Sequence, residues 1–386
     1  MEAFRPSERS AAAVKAAARA CGATAVRIAS AAPDETTRAR MAASFARGDL
    51  GTWAYDERYA RAASDPASLL PGARSVVCVA VPYATTPPAQ RRGRGRVSAY
   101  AWLEDYHRRM HALLRELASR IDELAGAPCT RVVCDTAPLA ERAFAARAGL
   151  GWVGKHTSLI VHGLGSAVFL GEIVTTLALE PDAPLRTSCG TCTRCVDVCP
   201  TGALRGDYTI DATRCISDLT QRRDAIPRAL RPLIGTWVWG CDLCNDACPP
   251  SVRAGRAGDA GFAPLSDELA APDLQRLLRG ATAGRAVRTT AMGWRGTTIL
   301  RRNAAVALGN GLDRADVPAL ADALRDDVSP LVRAHAAWAL GRIGSPQAHA
   351  MLRAARADER APAVLAEITV ALEPTEPLAA FKPKTP

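Results

Sequence analysis

The chain has 386 residues, 48% of them apolar and 23% charged, a balance that predicts two or three packed domains and excludes a disordered protein. Its net charge of +10 rests on 45 Arg and only 4 Lys, an excess that favours a polyanionic partner over a small cation. Scattered charges over Met1–Gly22 leave no apolar leader core and no apolar run reaches a membrane span, so a cytoplasmic protein without a membrane partner is expected.

Residues 8–21 and 35–47 have helical composition and flank an expected strand at Ala25–Ala29. Ser75–Pro82 is a β-branched apolar run and predicts a buried strand. A proline-rich loop with Arg91, Arg92, Arg94 and Arg96 follows, and Ser98 can cap a helix carrying Met110, Leu113, Leu114, Leu117 and Ile121 as far as Gly126. Arg131–Asp135 reads as a strand ending in an acid, and Ala137–Ala148 as a helix closed by Gly149. Two more strands are expected near 158–161 and 166–175, which gives an α/β or α+β domain over 1–184.

Within it, Asp135 stands at a strand end, and Gly149-Leu-Gly-Trp-Val-Gly154-Lys155-His156 follows one helix later. Those glycines permit close backbone approach to a bulky ligand, and Lys155 is one of the few lysines in an arginine-rich chain. Two plainer readings stand beside these: Asp135 as a helix N-cap and Lys155 as a solvated loop residue. His107 and His111 share a helix face without the glutamate of a zinc protease and read as a surface or core pair. Cys21, Cys78, Cys129 and Cys134 sit in apolar contexts and read as core.

Cys189-x2-Cys192-x2-Cys195-x3-Cys199-Pro200 is the run of bacterial ferredoxins, in which three thiolates hold one [4Fe–4S] cube and the fourth ligates another. A second set follows: Cys215, then Cys241-x2-Cys244-x3-Cys248-Pro249. Crossed ligation assigns Cys189, Cys192, Cys195 and Cys248 to one cluster and Cys215, Cys241, Cys244 and Cys199 to the other. Structural zinc competes, but it uses paired CxxC knuckles and calls for neither the third cysteine nor the two Cys-Pro endings. This two-cluster module covers 185–250, and a Gly/Ala/Pro-rich linker occupies 251–275.

From 276 to 386 the chain is helical and self-similar: Ala304-Ala-Val-Ala-Leu-Gly309 recurs as Ala336-Ala-Trp-Ala-Leu-Gly341, with Leu308, Leu340 and Leu372 in register. That is the signature of a helix-pair solenoid, a binding rather than a chemical device; a non-repeating bundle is the alternative. Arg276 to Arg302 holds seven arginines and no acid, a stretch suited to a phosphate backbone. Arg285, Arg295 and Arg302 are its candidate contacts, with Arg222 and Arg223 beside the clusters.

Asp135-Thr-Ala-Pro-Leu-Ala-Glu-Arg142, Ala148-Gly-Leu-Gly-Trp-Val-Gly-Lys155, the cysteine run, Cys215-Ile-Ser-Asp-Leu-Thr-Gln221, Gly240-Cys-Asp-Leu-Cys244 and Trp294-Arg-Gly296 together resemble the epoxyqueuosine reductase family, in one order from about residue 10 to 372. The resemblance implies a multidomain α+β enzyme: a nitroreductase-like corrinoid-binding domain, a ferredoxin-like module with two [4Fe–4S] clusters, and HEAT-like repeats that hold tRNA. It implies cobalamin as cofactor, an unidentified low-potential electron donor, and a monomer. The implied reaction removes the epoxide oxygen of epoxyqueuosine at the tRNA wobble position, leaving an alkene and water. By motif, Asp135 resembles the catalytic acid, and Arg61, Ser98, Asp135, Lys155, Ser158, Ser217 and Asp242 fall in segments resembling the cobalamin pocket. His156 and Ala137-Pro138 depart from the commonest pattern without removing a group the chemistry needs.

The leaving oxygen requires one acid, for which a carboxyl with raised pKa is expected. No D-x-H-x-x-G cobalamin-ligand motif is present, consistent with cobalt lacking a protein imidazole. A reductive dehalogenase-like enzyme would share the cofactors but have little use for the repeats. A bare electron-transfer subunit would need no Asp135/Lys155 pocket.

Overall fold

The computed structural model describes residues 6–256, 258–280 and 285–373. Its first domain is built on an antiparallel sheet. β1 (Ala25–Ser30), β2 (Ser75–Pro82), β3 (Arg96–Val97), β4 (Thr130–Val133), β5 (Gly151–Val153), β6 (Leu159–Val161), β7 (Val168–Thr175) and β8 (Trp237–Trp239) follow in chain order. The main sheet runs β1-β2-β7-β4. β2 is buried along nearly its whole length because both faces are covered. Val77, Val79 and Val81 face the helices α1 (Pro6–Ala20) and α4 (Tyr106–Ala125), whereas Val76, Cys78 and Ala80 face α5 (Glu141–Arg147). Between α1 and α4 lie α2 (Glu35–Ala46) and α3 (Glu57–Ser64).

Cys78, Cys129 and Cys134 are buried as expected, and Cys21 is partly so. Ser98 begins only a short 3-10 turn, Ala99–Ala101. The long helix starts later, where the Asp105 carboxylate accepts from the His107 N–H, and it ends at Gly126 in the left-handed region. α5 likewise starts at Glu141, not Ala137, because Pro138 disfavours a helical residue before it.

The cysteine module joins this domain through the parallel pair β3–β8, where Arg96 also lies 4.3 Å over the Trp237 ring. The expected linker is a packed strap. Asp259 N–H donates to Pro82 O, Thr85 N–H donates to Arg256 O, and the buried Phe262 meets Phe169 at 4.7 Å.

The C-terminal helices Thr297–Gly311, Val317–Asp326, Pro330–Ile343, Pro346–Asp358 and Pro362–Leu372 stack as helix pairs. The repeated glycine of the Ala-Ala-x-Ala-Leu-Gly motif permits that stacking: a Cβ on Gly309 would stand 2.8 Å from Ala339, and one on Gly341 2.6 Å from Ala371. Residues 374–386 of the expected repeat region lie outside the described residues. Among the described residues, no helix is long and apolar enough to cross a membrane.

Candidate active site and cluster module

The eight cysteines lie near one another, and the thiols that act on each other fall mostly within the two expected sets, with Cys195 also acting on Cys244 across them. Burial first, then Cys189 and Cys248, push the Cys195 thiol up to about 11. Burial raises the Cys248 thiol, and Cys189 and Cys192, distant in the chain, add to it. In the other set, burial and then Cys215, Asp242 and Cys199 raise Cys244, while Cys241 is raised by burial, Cys244 and Cys215. Thiols that raise one another's pKa are a donor set short of positive charge, and a cationic iron–sulfur core supplies it, so the residues fit two clusters.

A cavity of about 250 Å³ opens in the first domain, walled by Tyr83, Tyr100, Tyr106, Phe169, Arg142 and Ser158. One wall is tied to the module: Trp239 Nε1 donates to the Tyr100 hydroxyl at 2.8 Å. There Ser98 Oγ donates to Asp242 Oδ1 at 2.5 Å and Ala99 N–H to Oδ2 at 2.7 Å, so Ser98 and Asp242 satisfy each other, and burial holds the Asp242 carboxyl up at about 6.

Asp135 lies beside the cavity and not in its lining: it meets His107, whose ring stacks on Tyr106 of the cavity wall at 4.1 Å. It is no helix cap: the strand has ended, the residue sits at φ 61, and its N–H donates to Glu141 Oε1 at 2.7 Å. A non-glycine residue in the left-handed region is held there by its surroundings, and Glu141, the first residue of α5, does the holding. The Asp135 side chain is 62% exposed, and its Oδ2 lies 3.4 Å from His107 Nε2. His107 Nδ1 meets Asp105 Oδ1 at 2.7 Å, so the imidazole stands between two carboxylates.

Pairing with His107 lowers the Asp135 pKa, and pairing with Asp135 and then Asp105, against burial, raises that of His107. The raised carboxyl pKa expected from the sequence is therefore reversed: the pairing favours the proton on the imidazole over the carboxylate. The sequence alone presents His107 as one of a surface or core pair with His111. The signal that marks it is Asp105, two residues earlier at the helix cap.

Behind Asp135 lies a second acidic pair. Glu172, on β7 opposite Cys78 and Val133, is fully buried, and neither carboxyl oxygen has a donor. Burial raises its pKa well above the ordinary value, and the facing Glu141 raises it further. Glu141 already accepts from the Asp135 N–H, so burial beside it favours the protonated form of Glu172.

Of the remaining cobalamin candidates, Ser158 lines the cavity. Lys155 Nζ instead donates to Gly190 O at 2.9 Å, tying its glycine loop to the cysteine run. Ser217 Oγ accepts from Gln221 Nε2 at 3.1 Å, and Arg61 is exposed in the last turn of α3; neither lines the cavity. His156 is buried and held neutral, its pKa pushed down to about 4 by burial.

Two of the arginines expected on phosphates are structural. Arg302 is fully buried, with Nη1 donating to Arg222 O (2.9 Å) and Asp224 O (2.6 Å), Nη2 to Leu219 O (2.9 Å), and Nε and Nη2 to Asn303 Oδ1. Arg222 is buried as well and paired with Asp218. Charge runs do not reveal which members turn inward; these two bind the first repeat helix to the module. Arg223 is exposed and Arg295 half-buried, while the Arg285 side chain lies outside the described residues.

Three family models match: "Epoxyqueuosine reductase QueG, DUF1730" over residues 64–136, "4Fe-4S double cluster binding domain" over 188–251 and "HEAT repeats" over 296–373. The chain is 40% identical over 317 residues to an epoxyqueuosine reductase of Gloeobacter violaceus, covering 78% of this chain and 96% of that one. It is 35% identical over 317 residues to one of Bacillus cereus, covering 80% and 83%. A crystal structure of epoxyqueuosine reductase with an epoxyqueuosine-modified tRNA-Tyr stem loop superposes with a TM-score of 0.84 at 31% identity, covering 93% of this chain and 97% of that chain.

Proposed function

Because the chain belongs to the epoxyqueuosine reductase family, we propose that it reduces epoxyqueuosine to queuosine in tRNA with Asp135 as the proton donor. The balance is one epoxide, two electrons and two protons in, one alkene and one water out. The carrying observation is the cavity whose wall is tied to the module through Trp239 and Tyr100 and, through Tyr106, to the His107–Asp135 pair.

Cobalamin is the bound group this reading requires, and when bound it supplies the two-electron reductant, fed by the two [4Fe–4S] clusters. The cavity suits part of such a ring: its tyrosine walls are apolar in body and polar at the tip, and Ser158 and Arg142 offer hydroxyl and guanidinium donors. Ser98 and Asp242 hold the wall nearest the clusters; Lys155 positions the loop before Ser158; Arg61 and Ser217 would act from outside the cavity.

Asp135 faces the open side, where the leaving oxygen must be protonated, and His107 reloads it from an imidazole held by Asp105. Glu141 fixes the Asp135 backbone so that the carboxylate points outward. The repeats and the exposed arginines hold the tRNA. The reading includes a low-potential donor, a monomeric enzyme and a cytoplasmic setting. It is tested by incubating reduced holoprotein and cobalamin with tRNA bearing epoxyqueuosine and analysing its nucleosides by mass spectrometry. Queuosine must form, and its absence with fully loaded clusters overturns the reading.

A further inference from the structure

Large aromatic side chains exposed in one contiguous patch call for a partner, whereas scattered ones do not. Trp53, Tyr55 and Trp294 are 38%, 38% and 52% exposed, and they are neighbours. Trp294 stacks on Trp53 with centroids 6.0 Å apart, Trp53 lies nearly parallel to Tyr55 at 6.4 Å, and Tyr55 meets Tyr59 at 4.2 Å.

The row starts at the first turn before the repeats and crosses the loop ahead of α3. It ends at Tyr59, whose hydroxyl feels the charge of Asp135 and Glu141. Arg295 lies 3.6 Å over the Trp294 ring and 5.0 Å from that of Trp53, Arg223 is close enough to repel it, and Arg288 is exposed nearby in the chain. The patch is anchored: Trp53 Nε1 donates to Asp218 Oδ1 at 2.9 Å, on the helix that follows Cys215.

We propose that Trp294, Trp53 and Tyr55 form a stacking ladder for unpaired RNA bases, seating the nucleotides beside the reacting nucleoside and leading it to Asp135. The inference rests on the tRNA reading above and extends it to a site and a chemistry. Flat rings rimmed by guanidinium groups match bases joined by phosphates, and stacking accepts any base because every base presents a π-face. Arg295, expected from the sequence on a phosphate, here also flattens the platform by covering one tryptophan face. A duplex, whose bases are already stacked, gains nothing from such a surface.

The test uses cobalamin-loaded holoprotein and two RNA probes, an anticodon stem–loop and a blunt duplex of equal length. Trp294→Ala and Tyr55→Ala should each weaken stem–loop binding by roughly tenfold to a hundredfold, the scale of one lost base–aromatic stack. Duplex affinity and the slope of log Kd against log salt should not change, since no charge is removed, and Trp294→Phe should retain most of the binding.

Unchanged stem–loop affinity, an equal loss on the duplex, or a parallel loss of cobalamin binding each overturns the ladder. A wild-type protein that binds neither RNA overturns the tRNA reading itself and the ladder with it.

Discussion

Replacing Arg302 with alanine removes a guanidinium whose five hydrogen bonds are all made inside the protein. Three backbone carbonyls, of Leu219, Arg222 and Asp224, would lose a donor, each at about 1–3 kcal/mol when buried. Against this, burial holds the Arg302 pKa down to about 9, so the charge itself is unfavourable there and its removal returns part of the loss. The net cost should be about 3–5 kcal/mol, the range for breaking a buried charged network. That lowers the unfolding midpoint by roughly 6–20 °C for a cooperative unit of about 150–250 residues.

Thermal unfolding of the holoprotein followed by circular dichroism reads it. Arg302→Met, which refills the space, should cost less than alanine. An unchanged midpoint with weakened tRNA binding would refute the structural role and restore Arg302 as a phosphate contact.

His107→Gln should slow turnover and remove the basic limb of its pH profile. The imidazole's pKa is raised in the folded protein, so the proton is held at low pH and lost as pH rises above the ordinary histidine value. A pH–rate profile of the variant identical to wild type refutes the pairing. Glu172→Gln should stabilise the protein increasingly as pH rises. A carboxyl whose folded pKa is raised contributes stability that is complete below its unfolded value and lost above it, and denaturant titration at several pH values reads that widening gap. Cys248→Ser should damage the cluster built on Cys189, Cys192 and Cys195 and spare the one that includes Cys241 and Cys244; electron paramagnetic resonance of the reduced variant distinguishes the two.

Local patterns in the sequence located the local structure well. The β-branched run at Ser75–Pro82 is a strand over those residues, and the cysteine spacing marks the double-cluster module because ligand order is itself a local pattern. The alanine-rich motif repeats because each copy must admit its neighbour's backbone at Gly309 and Gly341.

What depends on long-range contact was not legible. His107 and Asp135 meet only because α4 packs across β4 and β7, and nothing in either segment announces the other. Glu172 hides in an otherwise apolar strand, with its partner on a helix behind it. Arg302 and Arg295 belong to one basic stretch but to different elements: Arg302 lies in a helix buried on nearly every side, and Arg295 ends the short turn before it, against a tryptophan at the surface.

The central claim is that Asp135 delivers the proton to the leaving oxygen, and single turnover of pre-reduced Asp135→Asn enzyme on tRNA bearing epoxyqueuosine tests it most directly. Asparagine keeps the shape of the side chain but carries no proton to transfer, so queuosine formation should fall by roughly a hundredfold to ten-thousandfold. Cluster content, bound cobalamin and tRNA affinity should match wild type. Near-normal conversion by the variant would contradict the account and leave His107, freed of its carboxylate, as the group that protonates the oxygen.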